Sequence, residues 1–252
     1  MESKWGSRSL FRRVIEPQKS ATFADHALVP ALSTDAFLPQ PQTNPPADCQ
    51  LCPRLAAFRA ENRRQFPDWF NAPVPNWGNH APRLLIVGLA PGLRGANRTG
   101  RPFTGDYAGD LLYRTLIKLG LASGVYEQRP DDSLQLHGVM IANAVRCVPP
   151  QNKPTGAEIV TCRRFLNATI ETHRPQAYLV LGRIAHDSLL SALGERRALY
   201  PFGHGAEHRL TSGARLFDSY HCSRYNTNTG VLTEAMFEDV IGRAAQAIAA
   251  KP

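Results

Sequence analysis

Four short apolar runs alternate with longer amphipathic segments along this chain. The apolar runs are RLLIVGL (83–89), GVMIANAV (138–145), AYLVLG (177–182) and RLFDSYH (215–221). Helical segments follow them at 108–120, 155–173, 184–193 and from about Thr233 onward. Apolar strands that alternate with helices form parallel sheets, because each crossover helix packs back on a face of the sheet. The pattern therefore predicts a three-layer α/β domain in which four mainly parallel strands lie between helices.

The N-terminal stretch to about Ala47 shows neither of these periodicities. It is rich in Pro, Ser, Ala and Gln and ends in FLPQPQTNPPAD, a composition typical of loops. We expect residues 1–47 to form a disordered arm and residues 48–252 to form the catalytic domain. A helix is expected after Pro53, which suits a first helical turn, and another helix begins at a capping box from Thr155 to Glu158.

Composition narrows the functional class only slightly. A chain of 252 residues is long enough for one domain with a large core plus an arm. The 29 Lys and Arg against 21 Asp and Glu give a net charge of +8, which suits nucleic acid, although many basic proteins bind none. The sequence has no apolar run of about 18 residues and no apolar signal core at its start. We expect a monomeric, cytoplasmic protein with no membrane contact.

Three of the predicted strands end in residues that are suited to chemistry. The first strand ends in Gly88, the second in Asn143 and the fourth in His221. Ligands of open α/β sheets bind in the crevice beyond the carboxyl ends of the parallel strands. We therefore expect one site at this edge, built from the segments that follow these three strands.

The first of these segments, GLAPGLRGANRTGRPFTGD at 88–106, has the composition of a ligand-binding loop. Its glycines let the backbone approach a ligand, and its arginines are candidates for contacts with DNA phosphates. These arginines are Arg94, Arg98 and Arg101. The segment matches neither the Walker A nor the dinucleotide-binding fingerprint. A long structural loop would explain the glycines alone, but not their combination with the arginines, Phe103 and Asp106.

The second and third segments add polar side chains to the same edge. Asn143 carries an amide that can both donate to and accept from a base edge, although asparagines at strand ends also form turns. His221 precedes a small polar loop that contains Arg224 and Tyr225. Most of the eight histidines must be structural, and its position makes His221 the best catalytic candidate.

Four of the five cysteines form a pattern typical of a metal site. Cys49 and Cys52 form a CxxC pair before a helix, Cys147 follows the second strand, and Cys162 lies in the next helix. Four thiolates can complete the shell of a zinc ion or hold an iron–sulfur cluster, and ligand number does not separate the two. Buried reduced thiols would explain one such cysteine more easily than four. The remaining Cys222 is expected to be structural.

Together, GLAPGLRGANRTGRPFTGD, NAVRCVPP with its upstream CxxC, and HCSRYNTNTG resemble the motifs of the family 5 uracil-DNA glycosylases of bacteria and archaea. The motifs have the same order and spacing, and the similarity extends from about Cys49 to the C-terminus. The resemblance implies an α/β/α fold around a four-stranded parallel sheet and a [4Fe–4S] cluster, with zinc less favoured. The implied cluster ligands are Cys49, Cys52, Cys147 and Cys162.

The resemblance also assigns residues to the binding of a base that is flipped out of DNA. Phe103 is expected to stack on the base, Asn143 to read its pyrimidine edge, and His221 to face its O2 atom. Gly88 and Ala90 belong to the loop whose backbone groups bind the base. The expected reaction is hydrolysis of the N-glycosidic bond of uracil, which leaves an abasic site in the DNA.

Leu89 stands where the related family 4 enzymes have a glutamate that positions water. The resemblance transfers this role to Asp106, and it implies a broad specificity that includes hypoxanthine and other deaminated or damaged bases. Cys222 replaces a proline that is typical of the third motif. After the base has flipped, Arg224 or Tyr225 is expected to fill the gap in the duplex.

Two other functional classes fit part of the sequence. A non-catalytic, metal-stabilised nucleic-acid binder would account for the charge and the cysteines, but not for Asp106 or for the convergence of three segments at one edge. A redox or radical iron–sulfur enzyme usually has its cysteines clustered near one loop, whereas these four are spread along the chain. The glycosylase hypothesis accounts for the most features.

Overall fold

The structure is a computed structural model that describes residues 42–249. Its helices are α1 (Pro53–Gln65), α2 (Ala96–Thr99), α3 (Tyr107–Lys118), α4 (Gly156–His173), α5 (Arg183–Ala192), α6 (Arg224–Asn228) and α7 (Glu234–Ala249). Its strands are β1 (Trp77–Gly78), β2 (Leu84–Gly88), β3 (Ala122–Ser123), β4 (Gln135–Leu136), β5 (Val139–Asn143), β6 (Ala177–Leu181), β7 (Glu207–Arg209) and β8 (Arg215–Ser219).

Four parallel strands form the centre of a six-stranded sheet. The strand order is β1-β5-β2-β6-β8-β7; the four central strands are parallel, and the edge strands β1 and β7 are antiparallel to their neighbours. Strands β3 and β4 form a separate antiparallel pair. The predicted α/β class is confirmed, but the sheet has six strands rather than four. The edge strands are only two and three residues long, too short to show a periodic pattern.

Alternate residues of the central strands pack into two cores on opposite faces of the sheet. On one face, Leu179 belongs to a cluster with Leu112 of α3 and Phe237 of α7. On the other face, Val180 belongs to a cluster with Leu189 of α5. Every residue of β2, β5 and β6 is buried, which is why these strands read as continuous apolar runs. The domain therefore has the predicted three layers.

The predicted helix starts are also present. Pro53 occupies the first turn of α1, and the Thr155–Glu158 capping box begins α4, where the Thr155 side chain accepts a hydrogen bond from Glu158 N. Helix α3 begins with a side-chain cap as well, since Asp106 accepts from Gly109 N. The cap of α3 places a carboxylate at the carboxyl edge of the sheet.

The predicted arm lies mostly at residues 1–41, outside the described residues. Its last residues are held on the domain: Asn76 N donates to Asn44 Oδ1 (2.7 Å), and Arg146 Nη2 donates to Thr43 O (3.4 Å). The domain thus begins a few residues before the predicted boundary at residue 48, since these polar contacts are not visible in a loop-like composition. None of the helices between residues 42 and 249 combines the length and hydropathy that a membrane span requires.

Candidate active site

A cavity of about 560 Å³ opens at the carboxyl ends of the parallel strands. It is lined by residues from all three segments singled out in the sequence. Six predicted site residues line it: Ala90, Phe103, Asp106, Asn143, His221 and Arg224. The expected convergence of the strand-end segments is therefore what the fold produces.

Asp106 lies in the cavity wall with few polar partners. One carboxylate oxygen accepts from Gly109 N (3.2 Å), and the other faces two glycines. A Cβ atom added to Gly95 would lie 2.4 Å from Asp106 Oδ2, and one added to Gly92 would lie 3.1 Å from it. Burial raises the pKa of Asp106 against the opposing hydrogen bond from Gly109 N, and the nearby Asp110 raises it further. Such a carboxylate is poorly solvated, and it binds a proton more readily than an exposed aspartate does.

Gly88 makes room for the two side chains that face each other across the base of the cavity. A Cβ at this position would lie 2.5 Å from Asn143 Oδ1 and 2.7 Å from Phe103 Cζ. Phe103 is 7% exposed, and its backbone has φ of +51°, a left-handed conformation that residues with a Cβ rarely adopt. Gly88 is thus a spacer beneath the cavity rather than part of its lining.

Asn143 presents to the cavity a polar atom that the protein leaves without a partner, and His221 lines the same cavity. Asn143 is 3% exposed, and its Oδ1 has no hydrogen-bond partner among the described residues. The ring of His221 lies 6.1 Å from that of Phe103, centroid to centroid, and burial lowers the pKa of His221. A buried amide oxygen without a partner is unfavourable unless a ligand supplies one. The arrangement favours a planar polar ligand between these side chains.

The backbone of the first segment adds donors to the cavity. Ala90 and Gly92 line it, and within the described residues neither N–H group has a hydrogen-bond acceptor. The carbonyl groups of Gly88 and Leu89, by contrast, accept from Ala144 N and Val145 N. The loop is therefore anchored to β5 through its carbonyl groups while its N–H groups stay available to a ligand.

The predicted DNA-contacting residues fall into two groups. Arg94 and Arg98 are exposed on the loop before and within α2, and Tyr225 is 74% exposed on α6. The guanidinium of Arg224 lies 5.4 Å from the ring of Tyr107 at the cavity mouth. These side chains are free to reach a polyanion that approaches the cavity.

Arg101 does not fit the prediction of a phosphate contact. Its side chain is 3% exposed, and its guanidinium forms a two-pronged ion pair with Asp132, which is fully buried. A third hydrogen bond joins its Nε to Thr104 Oγ1 (2.8 Å). The charge of Arg101 is therefore neutralised within the protein, which the spacing of the arginines in the sequence does not reveal.

Sequence reasoning missed three polar side chains that line the cavity, namely Tyr107, Asn152 and Ser223. Asn152 and its neighbour Gln151 both have left-handed backbone conformations, with φ of +56° and +55°. Left-handed asparagines are common in turns, and the segment PPQN did carry this turn signal. Ser223 caps α6 by accepting a hydrogen bond from Asn226 N. Its place in a small polar loop is consistent with this role.

The four patterned cysteines line one small hollow between α1, α4 and the end of β5. Cys49, Cys52, Cys147 and Cys162 all contribute to it, and each is a free thiol. Two sulfurs accept hydrogen bonds: Arg59 Nη1 lies 3.5 Å from Cys147 Sγ, and Arg146 N lies 3.4 Å from Cys162 Sγ. Cys222 lies elsewhere, with its thiol directed to Ala108 O.

Two of the thiols in this hollow, Cys147 and Cys162, are buried, and Cys49 and Cys52 are partly exposed. Burial raises the pKa of Cys52 to about 11 and that of Cys147 to about 12. As arranged, no three His, Cys, Asp or Glu side chains within residues 42–249 form a group that could hold a metal ion. Ala90 of the cavity loop packs against this hollow, so the cysteine group and the cavity share a wall.

Comparisons with known proteins agree with this picture. A family model described as the uracil DNA glycosylase superfamily matches residues 75–244. A type-5 uracil-DNA glycosylase of Thermus thermophilus is 47% identical over 203 residues, which cover 78% of this chain and 92% of the relative. A type-5 uracil-DNA glycosylase of Pyrobaculum aerophilum is 39% identical and covers 79% of this chain and 88% of the relative.

More distant matches are shorter. A type-4 uracil-DNA glycosylase of Archaeoglobus fulgidus is 37% identical over 113 residues, 44% of this chain and 49% of the relative. The type-5 relatives therefore match the described domain almost throughout, while the type-4 relative matches about half of it. This ranking agrees with the resemblance that the motifs carry.

Proposed function

The chain belongs to the uracil-DNA glycosylase superfamily and is a DNA-repair glycosylase that acts on uracil, and we propose that excision takes place in the cavity at the carboxyl edge of the sheet. One observation carries this assignment. Three segments that are far apart in sequence meet there around Asn143 Oδ1, which has no partner among the described residues. A nucleobase flipped out of DNA has the size, flatness and polar edge that this space suits.

Hydrolysis of an N-glycosidic bond develops positive charge on the sugar and negative charge on the departing base. Water oxygen bonds to C1′ as the bond from C1′ to the base nitrogen breaks, the electron pair leaves with the base, and water loses a proton. In our proposal, His221 donates an N–H to O2 of the base, and the N–H groups of Ala90 and Gly92 support the same charge. Burial keeps His221 neutral by lowering its pKa, and a neutral imidazole can still donate one hydrogen bond.

Asp106 orients the water and stabilises the cationic sugar in this proposal. A carboxylate near the sugar must be ionised to do either, and the water must lose its proton to a nearby base. Burial of Asp106 raises its pKa, which strengthens it as a base. Leu89, which also lines the cavity, offers no carboxylate in the neighbouring loop.

Base recognition is assigned to Phe103 and Asn143. Phe103 stacks on the flipped base, and the Asn143 amide pairs with its edge, which relieves the unpartnered Oδ1. We propose that hypoxanthine and other deaminated bases are also accepted, since a cavity of about 560 Å³ is larger than a pyrimidine alone requires.

The DNA itself is held by Arg94, Arg98 and Arg224, with Arg224 or Tyr225 entering the gap in the duplex. We further propose that the enzyme acts as a monomer in the cytosol, where the chromosome lies.

We also propose that Cys49, Cys52, Cys147 and Cys162 hold a [4Fe–4S] cluster. The donor set supports this: four free thiols surround one hollow, and two of their sulfurs already receive N–H donors, as cluster sulfurs usually do. These four residues would hold the cluster as thiolates. The cluster ties α1 to α4 and to the end of β5, and thereby supports the cavity loop at Ala90.

The activity is tested by incubating the full chain with oligonucleotides that contain uracil, hypoxanthine or only normal bases, each as a single strand and in a duplex. We expect free uracil and an abasic site from the first substrate, with smaller yields from hypoxanthine and none from normal pairs. Binding without base release would favour the non-catalytic alternative, which the comparisons do not support.

The cluster is tested separately by iron and sulfide analysis and by visible absorption. We expect about four irons per chain in the wild type and loss of iron in Cys162→Ser. Cys222→Ser is the matched control, because this thiol is buried outside the hollow, and it should keep its iron. Zinc without iron, or iron binding that survives Cys162→Ser, would contradict the proposed cluster.

A further inference from the structure

We propose that a partly buried cluster behind the cavity, which we call the Arg101 clamp, positions Phe103 and Asp106 for excision. The clamp consists of Trp77, Arg101, Tyr113, Tyr126 and Asp132. Its members act through the backbone of residues 102–106 and are positioning residues, since none of them lines the cavity. This inference rests on the proposed function, which gives Phe103 and Asp106 their roles.

The centre of the clamp is a rigid charged pair surrounded by aromatic rings. Arg101 donates from Nη1 and Nη2 to the two oxygens of Asp132 at 2.8 and 2.7 Å. The guanidinium carbon lies 4.7 Å from the Trp77 ring centroid and 5.7 Å from each of the Tyr113 and Tyr126 rings. A planar guanidinium that is hydrogen-bonded to a carboxylate and lies close to three aromatic rings has little freedom to move.

Two tyrosine hydroxyls transmit this rigidity to the segment that carries the site. Tyr126 donates its hydroxyl to Phe103 O (3.2 Å) and accepts from Gly105 N (3.3 Å). Tyr113 donates to Pro102 O. Backbone groups on both sides of Phe103 are therefore hydrogen-bonded to the clamp, immediately before the residue that begins α3.

The held segment has a backbone that would not persist without such support. Phe103 has φ of +51°, and Gly105 has φ of +88°. Phe103 O presses against α3 so closely that a Cβ added to Gly109 would lie 1.8 Å from it. Strained conformations of this kind last only where the surroundings over-determine them. The hydrogen bonds from the clamp hold this backbone conformation in place. They thereby fix the ring of Phe103 in the cavity wall and the carboxylate of Asp106 beside Gly92 and Gly95.

The test uses Tyr126→Phe, which keeps the ring and removes only the hydroxyl between Phe103 O and Gly105 N. We expect the single-turnover excision rate on a G·U duplex to fall about 10- to 100-fold, because a small misplacement of reacting groups has effects of this size. The dissociation constant for an abasic-site duplex should stay within about twofold. Tyr178→Phe is the control: Tyr178 is buried, it packs in the core on the other face of the sheet and does not line the cavity, and its rate should not change.

A double-mutant cycle with Phe103→Ala separates positioning from general stability. If Tyr126 acts through Phe103, the rate loss of the double variant is much smaller than the product of the two single losses. Independent effects would multiply. An unchanged rate in Tyr126→Phe, a loss shared by Tyr178→Phe, or a multiplicative cycle would overturn the clamp. If Phe103→Ala itself leaves excision unchanged, the role assigned to Phe103 in the proposed function is wrong instead. Thermal unfolding of each variant shows that the rates refer to folded protein.

Discussion

Two groups of polar side chains lie next to strand β8 and differ in how their hydrogen bonds are made. In the cavity, Asn143 Oδ1 is buried without a hydrogen-bond partner among the described residues, and His221, which follows the strand, lines the same cavity. On the opposite face of the sheet, His186 Nδ1 lies 2.8 Å from Asp218 Oδ1, and its Nε2 lies 2.9 Å from Tyr200 O. Both histidines are enclosed by protein, but only His186 has its polar atoms fully used.

The difference distinguishes polar groups that stabilise the fold from polar groups that are available to a ligand. A buried polar group without a partner costs free energy, and Asn143 Oδ1 is the one such atom among the described residues that lines the cavity. His186 and Asp218 join α5 to β8 inside the second core, whereas Asn143 and His221 face the cavity. We therefore expect substitutions in the cavity to lower activity more than stability, and the reverse for the pair of His186 and Asp218.

The largest effect is expected for Asp106→Asn. The amide oxygen can still accept from Gly109 N, so the helix cap and the fold are retained, but the negative charge near the sugar is lost. We expect the single-turnover excision rate to fall about 10²- to 10⁴-fold, with DNA affinity nearly unchanged. Binding and rate are measured on the same G·U duplex, and full activity of this variant would refute the role of Asp106.

Two arginines of one loop sharpen the comparison further. Arg101→Gln removes the counter-charge of the enclosed Asp132 carboxylate, which keeps only the N–H donors of Glu127 and Leu134, and we expect a loss of about 3–5 kcal/mol in the free energy of unfolding, as for other broken buried pairs. Arg98→Gln changes an exposed side chain and should alter stability by less than about 0.5 kcal/mol. Urea unfolding measures both.

The same pair of variants separates stability from DNA binding. If Arg98 contacts a phosphate, Arg98→Gln reduces the slope of log affinity against log salt concentration by about 0.9. Equal stability losses in Arg98→Gln and Arg101→Gln would mean that burial does not distinguish the two arginines. An unchanged salt slope would remove Arg98 from the DNA interface.

Asn143→Ala tests whether the unpartnered amide reads the base. Removal of one hydrogen-bonding partner from a buried site lowers binding or rate by about 10- to 100-fold, and we expect this loss for uracil. Hypoxanthine presents a different edge, so the ratio of the two excision rates should change. A constant ratio across wild type and variant would count against base recognition by Asn143.

The smallest effect concerns the pH dependence of excision. Asp106 must be ionised, so the rate falls as the pH drops through its pKa, and burial places this limb at a higher pH than for an exposed aspartate. Asp110 contributes to that shift by repulsion. In Asp110→Asn the pKa of Asp106 falls, and the acid limb should move to lower pH by less than about one unit. A shift in the opposite direction would assign the limb to another group.

Much of the fold could be predicted because burial leaves a periodic signal. Strands β2, β5, β6 and β8 and the helices between them were readable as apolar runs and amphipathic segments. Strands β1 and β7 were not, since two or three residues cannot show a period and their pairing depends on neighbours far away in the chain. Likewise, nothing in FLPQPQTNPPAD shows that Thr43 and Asn44 bind the domain.

The site was predictable where topology determined position. Gly88, Asn143 and His221 follow strands of one parallel sheet, so their convergence required only the strand order. Arg101 was misjudged because its partner, Asp132, lies 31 residues away in a loop. Asn152 was missed because its place in the cavity depends on a local turn with two left-handed residues.

The most direct test of the central claim compares the two histidines next to β8. The measurement is the single-turnover rate of uracil release by His221→Gln and by His186→Gln, at a temperature at which both are folded. We predict a loss of at least about tenfold for His221→Gln and a rate within about twofold of wild type for His186→Gln, which should instead unfold at a lower temperature. A wild-type rate in His221→Gln, or an equal loss in His186→Gln, would contradict the claim that the unpartnered groups of the cavity carry out excision.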